Sequence, residues 1–237
     1  MNRRDWLSTL ALAACPAEAQ EPAGAPGSAS LYIPQPQLLE DRKLLDDFME
    51  EFAFADLITV APSLRITHIP VLMDRSAGPY GTIHGHISRQ NEQVEAIEAS
   101  HEAVIVFHGP QGYISPSWYR TAPAVPTWNF AVVHATGKLR PVTEPQALHA
   151  LLARLIDKFE SYEGTDYDFS KLPESYVNGM LQGIIGFQMQ IELLEGKFKL
   201  GQDRSEADRQ GILKNLPKAR GERSLHDLTE SFYQRKG

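Results

Sequence analysis

The chain has 237 residues, 42% hydrophobic and 22% charged, an ordinary globular composition long enough for one large domain or two small ones. A net charge of −7 excludes the basic footprint of an autonomous DNA or RNA binder, and no apolar run reaches the roughly 20 residues of a bilayer-crossing helix. A single cysteine, Cys15, excludes an internal disulfide.

Residues 1–30 read as an export signal followed by a flexible linker. Arg3-Arg4-Asp5-Trp6-Leu7 looks like a twin-arginine signal, Thr9 to Ala14 is small and apolar, and Ala17-Glu18-Ala19 offers a small-x-small cleavage site. Leu12-Ala13-Ala14-Cys15 also looks like a lipobox, whose lipidated Cys15 would be the chain's tie to a membrane. The two endings compete. Pro22 to Ser30 is small, uncharged and rich in Pro and Gly, as linkers are. The expected location is the periplasm; the alternative is a cytoplasmic protein that keeps its leader.

The folded part is expected over 31–215, with a helical tail over 216–237. Asp41 to Phe54 carries apolar residues at helical spacing. Asp56–Val60 and Arg65–Met73 are strand-like, split by the turn Ala61-Pro62-Ser63. Gly81–Ser88 reads as a strand, Gln90–Ala99 as a short helix, and Ala103–Gly109 as an apolar, β-branched strand. Three prolines, Pro116, Pro123 and Pro126, make a loop of 114–129, and Phe130–Val142 is a further strand with Gly137 as a bulge or close-approach point. Pro145–Tyr162 is an amphipathic helix, 167–181 helix or loop, and Gly183–Leu194 a strand. Asp203–Lys214 and Glu222–Arg235 are helical and charged. Six strands that arrive as hairpin neighbours predict a mainly β fold with α additions: a small antiparallel barrel with helices at front, middle and end.

Four groups of residues could carry chemistry. His84-Gly85-His86 puts two rings on one side of a strand, about 7 Å apart. They could hold a metal, line the pocket of a polar aromatic cofactor, or be hydrogen-bonded structural residues. No trusted carboxylate or cysteine spacing accompanies them, so no metal is assigned. Ser88-Arg89-Gln90-Asn91 places a guanidinium where a strand gives way to a helix, a local arrangement suited to phosphate or to a simple N-cap. Lys197-Phe198-Lys199-Leu200-Gly201-Gln202-Asp203-Arg204 concentrates three cations, either as an anion site or as a solvated junction. No Gly-x-Ser-x-Gly elbow, dinucleotide fingerprint or phosphate loop is present. Tyr113 to Asn129 mixes hydroxyls, an amide, two indoles and prolines, which suits a planar polar ligand better than a core strand.

Six blocks recur in order: Leu31-Tyr32-Ile33-Pro34; Phe54-Ala55-Asp56-Leu57; Thr67-His68-Ile69-Pro70; His84 to Asn91; Phe107 to Tyr119 with Val125-Pro126-Thr127-Trp128-Asn129 and Val133 to Gly137; and Lys197 to Gln202. Together they resemble the PaiB-type FMN-binding proteins, also labelled a negative transcriptional regulator family. The resemblance implies an FMN-binding split β-barrel, a homodimer, and flavin near the interface between copies. It implies that Thr67, His68 and His86 face the ring or ribityl chain and that Arg89, Ser88 and Asn91 hold the phosphate. Thr127 and Trp128 would close the pocket, and Lys197 and Gln202 would complete it, in one version from the second copy. The chain departs from the family at Ser88-Arg89-Gln90-Asn91-Glu92, where Ala-Arg-Ala-Asn-Pro is common, and at Gly201-Gln202-Asp203, where Ser-Gln-Asn is common. The leader is a third departure. The expected function is an FMN-binding flavoprotein, as an exported oxidoreductase. A cytoplasmic repressor, which both the charge and the leader oppose, is one alternative. A haem-binding module using His68, His86 or His108 is the other.

Overall fold

A computed structural model of the chain describes residues 31–216 and 225–235. The export signal and linker expected at 1–30, Cys15 included, lie outside the described residues. A two-residue strand, β1 (Leu38–Leu39), adds to the edge of the sheet and leads into helix α1 (Arg42–Glu51). The Asp41 carboxylate caps this helix by accepting from the Leu44 N–H at 3.1 Å. Helix α1 buries Leu45, Phe48 and Met49, with Phe48 packing on Phe198 at a ring separation of 5.1 Å.

The barrel follows from a two-residue period. β2 (Phe54–Thr59) buries Ala55, Leu57 and Thr59 and turns Phe54, Asp56 and Ile58 outward. β3 (Arg65–Pro70) pairs with β2, the chain bends at the buried Val71, and β4 (Leu72–Asp74) pairs with β5 (Thr82–Ser88). A short helix α2 (Val94–Glu98) precedes β6 (Glu102–Ile114), which hairpins into β7 (Thr127–Val142). Helices α3 (Pro145–Glu163) and α4 (Glu174–Gln182) intervene before β8 (Ile184–Lys199). The sheet runs β3-β2-β6-β7-β8-β5-β4, antiparallel throughout. Because β3 and β4 are one strand bent at Val71, the two ends of that order meet. The expected six staves are present, as eight hydrogen-bonded segments. β3 lies beside β5 but forms no ladder with it among the described residues, and that gap splits the barrel.

Leu57, Ile105, Phe107, Val133, Leu139, Phe187 and Ile191 fill the interior. Full burial of each contributes about 1.5–3 kcal/mol, which holds the inward set of every stave in place. A second apolar cluster, Leu148, Leu152, Val177 and Leu181, seats α3 and α4 against Val142 and Ile184. Helices α5 (Glu206–Asn215) and α6 (Leu225–Arg235) send Ile212 and Phe232 into the main core.

Three strands run further than the sequence suggests: β8 continues to Lys199, and β6 and β7 lengthen together. The ladder continues through Gly112↔Asn129, Tyr113↔Trp128 and Ile114↔Thr127. A register shift between His108 and Gln111 absorbs Pro110. The Pro-rich segment is therefore a hairpin end with a connection over 115–126, not a loop over the whole of 114–129. Gly137 sits at a second shift, where a Cβ would lie 2.2 Å from the Gln190 carbonyl oxygen. The outward side of β2 and β3 stays open, with Phe54 67% and Ile66 54% exposed.

Candidate functional site: the cleft between β3 and β5

Where β3 and β5 face each other unpaired, a cleft of about 490 Å³ opens, within the size range of cofactor sites. Thr67, Ile69 and Pro70 form one wall, and His86, Ile87 and Ser88 the other. Met180, Gly183 and Ile184 close the end beneath α4, and Asn91 stands at the corner. Strand alternation decides which residues take part. It gives Thr67 to the cleft and turns its neighbour His68 to the outer face, where the His68 ring bonds Asp56.

The polar groups of the cleft are fixed from below. The Asn91 amide donates to the Thr67 hydroxyl oxygen at 2.8 Å, and the Thr67 hydroxyl donates to the Gln93 side-chain oxygen. Gln93 is 1% exposed; its amide donates to the Leu57 carbonyl and the Thr59 hydroxyl, both at 3.1 Å. The Gln93 N–H closes the loop on the Asn91 side-chain oxygen at 2.9 Å. The sequence motifs do not point to Gln93. Its one available signal is its place two residues after Asn91, the spacing of an Asx turn. The His86 ring is half-buried, and burial pushes its pKa down, so it is neutral at neutral pH. Its Nδ1 is buried with no hydrogen-bond partner.

Arg89 leaves the end of β5 with its N–H bonded to the Gly183 carbonyl at 2.9 Å. Its side chain is exposed and lines an adjoining polar cleft of about 530 Å³ with Ser63, Arg65, Gln90 and Glu92. Asn91 lines both clefts. The expected helix at Gln90 is a correction: α2 starts only at Val94 and has five residues. The Asn91 side chain takes the Gln93 N–H and holds 89–93 in turns. No helix N-terminus stands at Arg89, so attraction for an anion there comes from guanidinium charge. Arg65, the other cation of this cleft, is ion-paired with Glu92.

Within one chain the structure brings Thr67, His86, Ser88 and Asn91 together, with Arg89 beside them. Thr127, Trp128, Lys197 and Gln202 belong to another part of the barrel and contribute nothing to the cleft walls. Thr127 accepts from the Lys199 ammonium at 2.8 Å, and the Trp128 indole donates to Gln111 at 2.8 Å. The Lys197 ammonium donates to the Tyr32 carbonyl at 2.8 Å and lies over the rings of Tyr32 and Phe130. Gln202 folds back on its own turn, accepting from the Leu200 N–H at 2.8 Å and donating to the Phe198 carbonyl. The Trp118–Thr121 stretch is held by α5: Gly211 packs against the Trp118 carbonyl, and Asp208 accepts from the Arg120 and Thr121 N–H groups at 2.6 and 3.1 Å.

Residues 31–193 match the family described as "Putative FMN-binding domain". The chain belongs to this FMN-binding family. It is the family the motif blocks point to, and its cofactor is FMN. A similar curated protein is "Protease synthase and sporulation protein PAI 2" of Bacillus subtilis (strain 168), 30% identical over 187 residues that cover 78% of this chain and 89% of the relative. Among solved structures, the flavocytochrome Anf3 from Azotobacter vinelandii has a TM-score of 0.50 at 13% identity, covering 78% of each chain. An FAD and heme binding protein from Mycobacterium smegmatis also has a TM-score of 0.50, at 14% identity, covering 73% of this chain and 78% of that one. Both likenesses are of fold. The cleft residues fit the family's cofactor: Ile69, Pro70, Ile87 and Ile184 offer apolar surface to a planar ring, and Thr67, Ser88, Asn91 and the unpartnered His86 nitrogen offer hydrogen bonds.

Proposed function

We propose that the protein binds FMN in the β3–β5 cleft and works as a flavin redox protein. The observation that carries this is the fixed Thr67–Asn91–Gln93 network at the rim of an otherwise apolar cleft in an FMN-family chain. Bound flavin supplies electron or hydride transfer, and the protein supplies orientation and electrostatics. Thr67, Ser88 and Asn91 hydrogen-bond the polar edge of the ligand. His86, held neutral by burial, can donate or accept without introducing charge. Arg89 meets the phosphate in the adjoining polar cleft.

A second copy of the chain completes this reading. The outward side of β2, β3 and β6 carries Phe54, Ile58, Ile66 and Val104 on a sheet face that also bears both signs of charge. Two copies packed on that face would bury it. Thr127, Trp128 and Lys197 then act toward the cleft of the partner, not their own.

Titration of the purified chain with FMN and with riboflavin tests the assignment. Saturable FMN binding and weaker riboflavin binding are expected. Arg89→Ala removes a charge-assisted contact worth about 1.5–3 kcal/mol, roughly ten- to a hundredfold in FMN affinity, and leaves riboflavin affinity unchanged. Equal FMN affinity in the variant would remove Arg89 from the phosphate site. Failure to bind either flavin would sink the function itself.

A further inference from the structure

The open outer face carries a band of titratable groups that the flavin cleft does not use. Strand register sets His68 opposite Asp56, Asp56 opposite Val106, Val106 opposite His134, and His134 opposite Glu195. His108 lies two residues along β6 from Val106, on the same side. Its Nε2 reaches one Asp56 carboxylate oxygen at 2.9 Å, and the His68 Nδ1 bonds the other. One carboxylate thus serves two exposed imidazoles from two neighbouring strands. Lys197 and Lys199 of β8 flank the band on the same side of the sheet. Further along that face, Glu102 of β6 and Glu192 at the β8 bulge stand with Lys138 and Arg140 of β7.

We propose that this band makes self-association through the outer face pH-dependent, the paired form holding while the three imidazoles are neutral and separating as they take up protons. The inference rests on the second-copy reading above. The sign follows from the charges. With neutral imidazoles, the band and its flank set two carboxylates against two lysines. With all three protonated, five cations face the same two carboxylates. A two-fold interface sets the band against its own copy, so an excess of one sign is doubled across a drying surface.

The neighbouring groups agree. Burial already pushes the His134 pKa down, Glu195 opposes this and His108 adds to it; covering the face strengthens the burial effect. For Asp56, burial works to raise the pKa, but the bonds from His68 and His108 outweigh it and the net direction is down. Its contribution is present above the ordinary carboxylate pKa and is lost only as pH falls through its lowered value. A change between pH 8 and 5.5 therefore reports the imidazoles.

Sedimentation equilibrium of the full chain at about pH 8 and about pH 5.5 tests this, with far-UV circular dichroism recorded alongside. The dissociation constant should rise at least about tenfold at the lower pH while the dichroism holds. The H68Q/H108Q double variant should lose most of that shift, and His134→Gln should reduce it. An unchanged dissociation constant in the wild type overturns the inference, as does an undiminished shift in the double variant or dissociation that tracks loss of dichroism. A monomer at both pH values overturns the second-copy reading and this inference together. FMN binding, read by visible absorbance in the same samples, tests the cleft separately.

Discussion

Gln93 bonds to β2 through Leu57 and Thr59 and to β3 through Thr67, and it sets the turn that holds Asn91. Gln93→Leu keeps the volume and leaves buried polar partners unsatisfied, at a cost of about 1–3 kcal/mol. Urea unfolding should show that loss, and an unchanged midpoint would show that water replaces the amide. The Glu92 carboxylate is paired with Arg65 in the polar cleft. Glu92→Gln frees that guanidinium and removes a like charge facing a phosphate, so FMN binding should tighten several-fold, most visibly at low salt. A weaker complex would place the phosphate elsewhere. Thr67, His86, Ser88 and Asn91 are legible in the sequence because a two-residue period and one motif put them at neighbouring strand ends. Gln93 is not, because an amide between Glu92 and Val94 looks solvent-facing until the strands above it are placed. Trp128 and Lys197 carry the right chemistry, but sequence gives no distance between the ends of a barrel.

At the scale of elements, the six staves are readable because each carries a β-branched or alternating run with turn residues at its ends. The ends of β6 and β7 are not readable. Prolines at 110 and 116 signal a loop, whereas the register shift at His108/Gln111 absorbs the first and the second begins a 3₁₀ turn beyond the ladder. Helix α2 starts later than the sequence suggests because Asn91 competes for the backbone that a helix would have used. Gly137 has the sequence context of a bulge or close-approach point and is both. Gly137→Ala drives a methyl into the Gln190 carbonyl of the β8 backbone, which cannot give as a flexible side chain can. Overpacking of this kind costs about 1–3 kcal/mol, and a wild-type melting temperature in the variant would contradict the register drawn for β7 and β8.

At the scale of the whole molecule, one bend at Val71 lets a single strand pair with β2 on one side and β5 on the other. It closes the barrel yet leaves β3 and β5 unpaired over the length of the cleft. The α3–α4 insertion ends at Gly183, whose carbonyl fixes Arg89 and whose backbone walls the cleft. Fold closure and the candidate cleft thus share the same residues. Amide hydrogen exchange of the full chain with and without FMN tests this most directly. Flavin in the β3–β5 cleft should protect 65–70 and 84–93, with any change at 127–130 or 197–202 appearing only in a paired form. Protection confined to those latter segments in a monomer, with β3 and β5 unaffected, would contradict that placement.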